Sequence, residues 1–367
     1  MSETIGYRGQ NITQGIAQQG VTDYLFEIAR ALETRPFKPH PLFANGHAQT
    51  LAGYAWPRRP LLLSGRDDEE RTFEVEPNVR VLAHCRWQRA AQPQELPTML
   101  LVHGLEGSSA SRYMLGTAAK AYGLGFNVVR LNLRNCGDTE HLTPTLYNSG
   151  LSGDIRAVIS ELIERDRLRR IFLVGFSMSG NIVLKLAGED AERAPSELAG
   201  VCAVSPSVDL SSCAEAINRR ANWVYQQSFL RSLRRRIRNK QRLYPQLYDT
   251  SDLHLVRTIR DFDERYTAAD GGYKDADDYY RRASALPLMD FIRVPSLIIH
   301  AQDDPFIPFQ PQLEASASSN PYLLLLAPQR GGHVGFVAAD GNDGEDRFWA
   351  ENRVVEFCRR VNEHLSS

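Results

Sequence analysis

No apolar run in this 367-residue chain reaches membrane-spanning length; the longest, such as Leu323 to Ala327, are the size of a strand. The polar opening MSETIGYRGQNITQG has no apolar core for a signal peptide. Neither sign of charge prevails: 43 Lys and Arg against 44 Asp and Glu leave a net charge of −1, so nothing global attracts nucleic acid or an anionic membrane. Cysteine is scarce. The five (Cys85, Cys136, Cys202, Cys213 and Cys358) are odd in number, scattered and without a C-x-x-C, which argues against a disulfide framework and against a zinc site. Internal repeats, low-complexity segments, a P-loop and a dinucleotide fingerprint are also missing, so no metal or organic cofactor is expected. What remains is a globular chain for which a reduced, cytoplasmic setting is the expectation. Its apolar fraction of 43% and charged fraction of 24% are ordinary. The oligomeric state is not legible.

What is present begins with a rhythm. An amphipathic helix is expected around Val21 to Glu33, followed by a Pro-rich stretch, RPFKPHPLFANGHAQT. From Arg80 to Trp87 the residues Val81, Ala83, Cys85 and Trp87 alternate with polar ones, the period of a half-exposed strand. Then come short continuous apolar runs at Thr98–Val102, Phe126–Leu131, Ile171–Val174, Gly200–Val204, Ser296–His300 and Leu323–Ala327. Helical patterns separate most of them, such as Leu151 to Arg165 with Ile155, Val158, Ile159 and Leu162 on one face. Strands apolar on both sides, alternating with amphipathic helices, predict an α/β fold: a mostly parallel sheet flanked by helices, with the antiparallel-looking first strands at one edge. About 90 residues separate the fourth and fifth of these runs, far more than a crossover needs. Their composition is helical, with Trp223, Tyr225, Phe229 and Leu233 near one face and a basic run, RSLRRRIRNKQR, from Arg231 to Arg242. The expected organisation is an amino-terminal extension over residues 1–60 that braces the sheet, a core over 61–206 and 291–367, and a helical cap inserted at 207–290. A terminal helix carrying Val354, Val355, Cys358, Val361 and Leu365 closes the chain.

The chemistry concentrates in LRRIFLVGFSMSGNIVLKLAG, residues 168–188. Gly-x-Ser alone is common, and Gly107-Ser108-Ser109 and Gly150-Leu151-Ser152 also contain it. Only Ser177 follows a strand run and opens a helix pattern, the setting that exposes a nucleophilic hydroxyl at the top of a parallel sheet. The G-x-S-x-G elbow is nevertheless imperfect, because Ser179 occupies the place of the second glycine. A turn serine with no chemistry is the competing reading.

A serine hydroxyl needs a base, and the base an orienting acid. After the strand run SLIIH come Asp303 and Asp304, of which Asp304 is preferred because Pro308 lies four residues on; Asp303 is the alternative. His333 stands in the glycine-rich Gly331–Phe336 loop just past the last strand run. The expected catalytic residues are therefore Ser177, Asp304 and His333. The loop His103-Gly104-Leu105-Glu106-Gly107 is placed to aim the Leu105 amide into the site beside the Met178 amide, forming an oxyanion hole. His103 and Glu106 read as residues that fix this loop.

The combination resembles the α/β-hydrolase superfamily, and more narrowly the YheT-like hydrolases, relatives of the abhydrolase-domain lipases. The stretches NGHAQT (45–50), HGLEGSS (103–109), LRNCGDTE (133–140), YNSGLSGD (147–154), DDPFIP (303–308) and GGHVGF (331–336) carry the resemblance, which spans about residues 37–362. It implies the charge-relay roles for Ser177, Asp304 and His333, and hydrolysis of carboxylic esters, small-molecule or lipid, through an acyl-serine. Thioester hydrolysis or acyl transfer would use the same groups, and a non-catalytic binding protein would keep only the fold. Three further features have two readings each. His47 either enters the site or belongs to the bracing segment. Cys136 either lines the site or fills a small buried space. The basic run either attracts an acidic headgroup, a coenzyme A phosphate or an anionic membrane surface, or is a solvated helix face.

Overall fold

The computed structural model describes residues 16–58, 68–340 and 344–367. The polar start up to residue 15 and the expected boundary at 60/61 lie outside the described residues. Strands β1 (Glu69–Glu76) and β2 (Val79–Arg86) are antiparallel. The alternation read in the sequence puts Val81, Ala83 and Cys85 of β2 in the core; Trp87 falls just past the strand and ties its indole N–H to Glu69. β1 had no sequence signal of its own, because Phe73 is its one buried residue.

The continuous apolar runs become β3 (Thr98–Val102), β4 (Asn127–Leu131), β5 (Ile171–Phe176), β6 (Leu198–Val204), β7 (Ser296–Ile299) and β8 (Leu323–Leu326). All eight strands form one sheet in the order β1-β2-β4-β3-β5-β6-β7-β8, parallel from β4 onward. Successive side chains of a strand face opposite layers, which is why these runs are largely apolar; Asn127 and Arg130 of β4 are buried exceptions. Met99 and Leu101 join the layer of α1 (Ile16–Glu33), α3 (Arg112–Gly123) and α12 (Trp349–His364). Leu100 and Val102 join the layer of α4 (Ser152–Glu164), α5 (Met178–Asp190) and α11 (Pro311–Ser319). In α12 the expected Val354, Val355, Cys358 and Val361 are buried; Leu365 is exposed, since the helix has ended at His364.

The register matters most for function. Val102 pairs with Gly175, Phe176 with Val204, Val204 with Ile299, and Ile299 with Leu326. The carboxyl ends of these strands thus form one rim, the usual place for a site in a parallel sheet. The long interval between β6 and β7 contains α6 (Leu210–Ile217), α7 (Trp223–Leu243), α8 (Ile259–Phe262), a π-helical turn at Asp263–Thr267, α9 (Ala268–Asp270) and α10 (Ala276–Ala283). Its helices have a core of their own, with Leu230, Leu233 and Ile237 of α7 against Tyr248, Val256 and Phe262. Trp223, expected on that apolar face, is instead exposed.

The basic run of α7 divides between its two sides. Arg231, Arg235, Arg238 and Arg242 follow one exposed stripe and have no carboxylate within salt-bridge distance among the described residues. Arg236 and Lys240 turn inward and are buried. The Arg236 guanidinium donates to Glu106 Oε1 at 2.9 Å and to the Asn135 carbonyl. The Lys240 ammonium donates to Asn135 Oδ1 at 3.1 Å and to the Thr143 carbonyl. Burial lowers the Lys240 pKa to about 8. These two side chains fasten α7 to the loops above β3 and β4. The basic run is thus exposed along its outer stripe, while its inner pair is buried and fits neither reading of the run as one surface face. Among the described residues no helix is long and apolar enough to cross a membrane.

Candidate active site

β5 ends in Gly175-Phe176 and the chain turns into α5 within one residue, Ser177, whose φ of 56° and ψ of −118° belong to a strained conformation that L-residues rarely adopt. The turn is possible because position 175 has no side chain: a Cβ there would stand 2.2 Å from the Ser179 carbonyl oxygen. The Ser177 amide is held by the Val204 carbonyl at 2.8 Å, which fixes the elbow to β6. Ser179, the departure from the glycine pattern, is fully buried and donates its hydroxyl to the His103 carbonyl. It therefore ties the elbow to the loop after β3. Ser179→Ala is expected to lower unfolding free energy by about 1–3 kcal/mol in a urea titration, because a buried carbonyl loses its donor. No measurable change would show that the tie carries no stability.

His333 bridges the other two groups. Its Nε2 lies 2.8 Å from Ser177 Oγ and its Nδ1 lies 2.8 Å from Asp304 Oδ2. The Asp304 carboxylate is completely enclosed, and its Oδ1 accepts the amides of Phe306 at 3.1 Å and Ile307 at 2.9 Å. Those bonds fix which oxygen faces the imidazole. Asp303 points elsewhere: its Oδ1 accepts the Gly332 amide at 2.9 Å, and burial raises its pKa. Of the two candidate carboxylates, the one that reaches His333 is Asp304.

The loop after β3 runs beside the elbow. Gly104 allows the approach, for a Cβ there would meet Ser177 Cβ at 2.9 Å. Neither the Leu105 amide nor the Met178 amide donates to another protein group among the described residues, and both residues line the same cleft as Ser177. His103 is fully buried, and burial lowers its pKa to about 4, so the ring is neutral. Its Nε2 accepts the Leu133 amide at 3.1 Å, leaving Nδ1–H to donate to the Gly104 carbonyl at 2.8 Å. Glu106 holds a left-handed φ of 55°, accepts the Tyr147 hydroxyl at 2.7 Å and pairs with Arg236. Both side chains stiffen the loop that presents Leu105.

The segment NGHAQT forms the start of α2 (Gly46–Ala55), with Asn45 capping the Ala48 amide at 2.9 Å. The helix lies against the histidine loop, where Thr50 Oγ1 accepts the His333 amide at 2.9 Å. His47 stacks on Tyr225 of α7 with ring centroids 5.7 Å apart and is not among the cleft-lining residues. Tyr225 packs on Phe306, and Phe306 on His333 with ring centroids 4.2 Å apart. Cys136 is buried in the core rather than in the cleft.

The cleft above the rim has a volume of about 910 Å³, its open mouth included. Leu105, Met178, Ile217, Phe229, Phe306 and Ile307 give it mostly apolar walls. Polar residues that the sequence did not single out also line it, and two of them stand out. Ser207 is buried and its hydroxyl has no hydrogen-bond partner among the described residues; its amide donates to the Ser177 carbonyl at 3.4 Å. The other is Asp263, in the π-helical turn. Neither carries a motif. Among the described residues no group of three or more His, Cys, Asp and Glu is disposed to hold a metal ion.

A family profile described as "alpha/beta hydrolase fold" matches residues 97–340. The chain is 32% identical over 272 residues to the putative esterase YheT of Escherichia coli, covering 74% of this chain and 78% of that protein. It is 31% identical over 280 residues to a monoacylglycerol lipase of Saccharomyces cerevisiae, covering 74% of this chain but only 60% of the yeast protein's length. Among solved structures, the Pyrococcus furiosus esterase Pf2001 superposes with a TM-score of 0.52 at 16% identity, over 89% of this chain and 98% of that one, a likeness of fold alone. Profile, relatives and sheet order agree: the chain belongs to the α/β-hydrolase family, in its YheT-like branch.

Proposed function

We propose that this protein hydrolyses carboxylic esters through an acyl-serine intermediate, with Ser177 as nucleophile, His333 as general base and acid, and Asp304 as the orienting carboxylate. The observation that carries the proposal is the unbroken hydrogen-bond chain Asp304–His333–Ser177, with both links at 2.8 Å. His333 Nε2 takes the Ser177 proton as Oγ attacks the ester carbonyl. Nδ1–H stays donated to Asp304, which stabilises the imidazolium. The amides of Leu105 and Met178 receive the oxyanion. Collapse breaks the ester C–O bond, and the imidazolium proton goes to the leaving alcohol. Water, deprotonated by the same imidazole, then attacks the acyl-serine and releases the acid. Residues 207–290 act as a cap that supplies much of the cleft wall, and the chain before β1 braces the loops of the acid and the histidine. Apolar walls suit a short- to medium-chain acyl group or a lipid ester, in keeping with the names of the lipase and esterase relatives.

The same machinery would serve a thioester or an alcohol acceptor, so the test compares them. Turnover of p-nitrophenyl esters is expected to exceed that of acyl-CoAs of the same chain length, with no transfer product on addition of an alcohol. A reversed preference would reassign the protein as a thioesterase; a transfer product would reassign it as an acyltransferase. Absence of both turnover and fluorophosphonate labelling would reduce it to a binding protein.

A further inference from the structure

The cleft that Ser177 opens into is apolar along most of its wall, yet a carboxylate forms part of it. Asp263 sits in the π-helical turn of the insert and lines that cleft. π-Helical turns are rare and concentrate at functional positions. Asp263 is half-buried, and burial raises its pKa to about 6.

Its partners are few. Oδ1 accepts the Thr267 hydroxyl at 2.8 Å and Oδ2 accepts the Tyr280 hydroxyl at 2.8 Å. A carboxylate has about four acceptor positions, so capacity remains on both oxygens. No cation lies within salt-bridge distance of it among the described residues, although the Arg260 guanidinium, farther off, favours its charged form. The neighbouring Arg260 makes a two-point bond to Asp277 at 2.7 and 2.8 Å, and Arg236, also on the cleft, is taken by Glu106. A carboxylate enclosed without a direct salt-bridge partner is costly to maintain for stability alone. Part of its role is structural, since the buried Thr267 and Tyr280 both donate their hydroxyls to it, but the cleft is otherwise mostly apolar here, with Leu210, Ile259 and Phe262 also lining it.

We propose that Asp263, supported by Thr267 and Tyr280, is a specificity subsite that accepts a hydrogen bond from a hydroxyl or ammonium group of the substrate, remote from the ester carbonyl that Ser177 attacks. The subsite rests on the esterase reading and adds a substrate class to it: esters apolar along their length but carrying one donor group at a distance. Plain alkyl esters leave the carboxylate unanswered and bind less well for that reason.

The test uses matched esters with and without the donor on each side of the bond. p-Nitrophenyl hexanoate is compared with p-nitrophenyl 6-hydroxyhexanoate, and butyl hexanoate with its 4-hydroxybutyl and 4-aminobutyl counterparts. Wild type is expected to favour a donor-bearing member on one of the two sides by roughly tenfold or more in kcat/KM, chiefly through KM. Asp263→Leu should abolish that preference and improve the plain ester. Asp263→Asn separates the sources: it should keep much of a hydroxyl preference and lose an ammonium preference. If the leucine variant does not fold, the asparagine and Tyr280→Phe variants carry the test, each expected to weaken the preference. Wild type that treats every pair alike, or variants that keep the full preference, would overturn the subsite while leaving the esterase reading intact. No turnover of any member, with no fluorophosphonate labelling, would overturn both.

Discussion

Ser177→Ala is expected to lower kcat for p-nitrophenyl esters by about 10⁴- to 10⁶-fold and to abolish fluorophosphonate labelling, with the fold unchanged. The chemistry would vanish because Oγ is the atom that His333 Nε2 contacts at 2.8 Å, and no other hydroxyl takes its place. Ser179 is the next serine in the chain, but its hydroxyl is buried and committed to the His103 carbonyl. Ser207 is beside the elbow, yet its contact there is made by its amide and it has no base. The fold should persist because the strained turn is held by groups other than the side chain. These are the amide bond to Val204 and the close approach that Gly175 allows. Alanine suffers the same positive φ that serine does. A variant that kept a tenth of the wild-type rate would mean that the acyl group never passes through Ser177.

The sequence displayed the sheet well and the cleft poorly, for a common physical reason. A strand buried on both faces is apolar at most positions, so β3 and β5 to β8 announce themselves as near-continuous runs. β1 lies at the sheet edge with Phe73 alone buried, and EERTFEVE gives little to read. α2 is short and lacks an apolar stripe; its one signal is Asn45 ahead of Gly46, a capping residue hidden in a Pro-rich stretch. The proposed site residues Ser177, Asp304 and His333 stand out in the sequence because each follows a strand and their chain order is that of this fold's triads. Asp263 had no such help. In RDFDERY it looks like one more charge on a solvated helix, and only the folded insert turns it toward the cleft.

The basic run shows the same limit from the other side. Twelve residues read as one charged face, but a helix sends side chains all around its axis. Arg236 and Lys240 fall one turn apart on the inner side, next to the buried Leu233 and Ile237. There they hold the insert down on the loops that carry Glu106 and Asn135. A count of charges reports composition; which of them become fasteners depends on what α7 packs against.

The two adjacent aspartates should separate by several orders of magnitude. Asp304→Asn is expected to lower kcat by about 10⁴-fold, and Asp303→Asn by less than about tenfold, measured on the same ester at the same pH. Asp304 Oδ1 is fixed by two backbone amides, from Phe306 and Ile307, and an asparagine must keep its oxygen there to satisfy them. Its NH₂ then replaces Oδ2 opposite His333 Nδ1, a donor where an acceptor stood. To avoid two donors facing each other, the imidazole must move its proton to Nε2, and in that tautomer it cannot accept the proton of Ser177. Asp303 acts on the loop rather than on the ring. Its Oδ1 accepts the Gly332 amide, and an asparagine oxygen can do the same. Equal losses in the two variants would mean that the histidine loop, and not the carboxylate at Nδ1, limits the reaction; a larger loss at Asp303 would move the orienting acid to that residue and break the proposed hydrogen-bond chain at its second link.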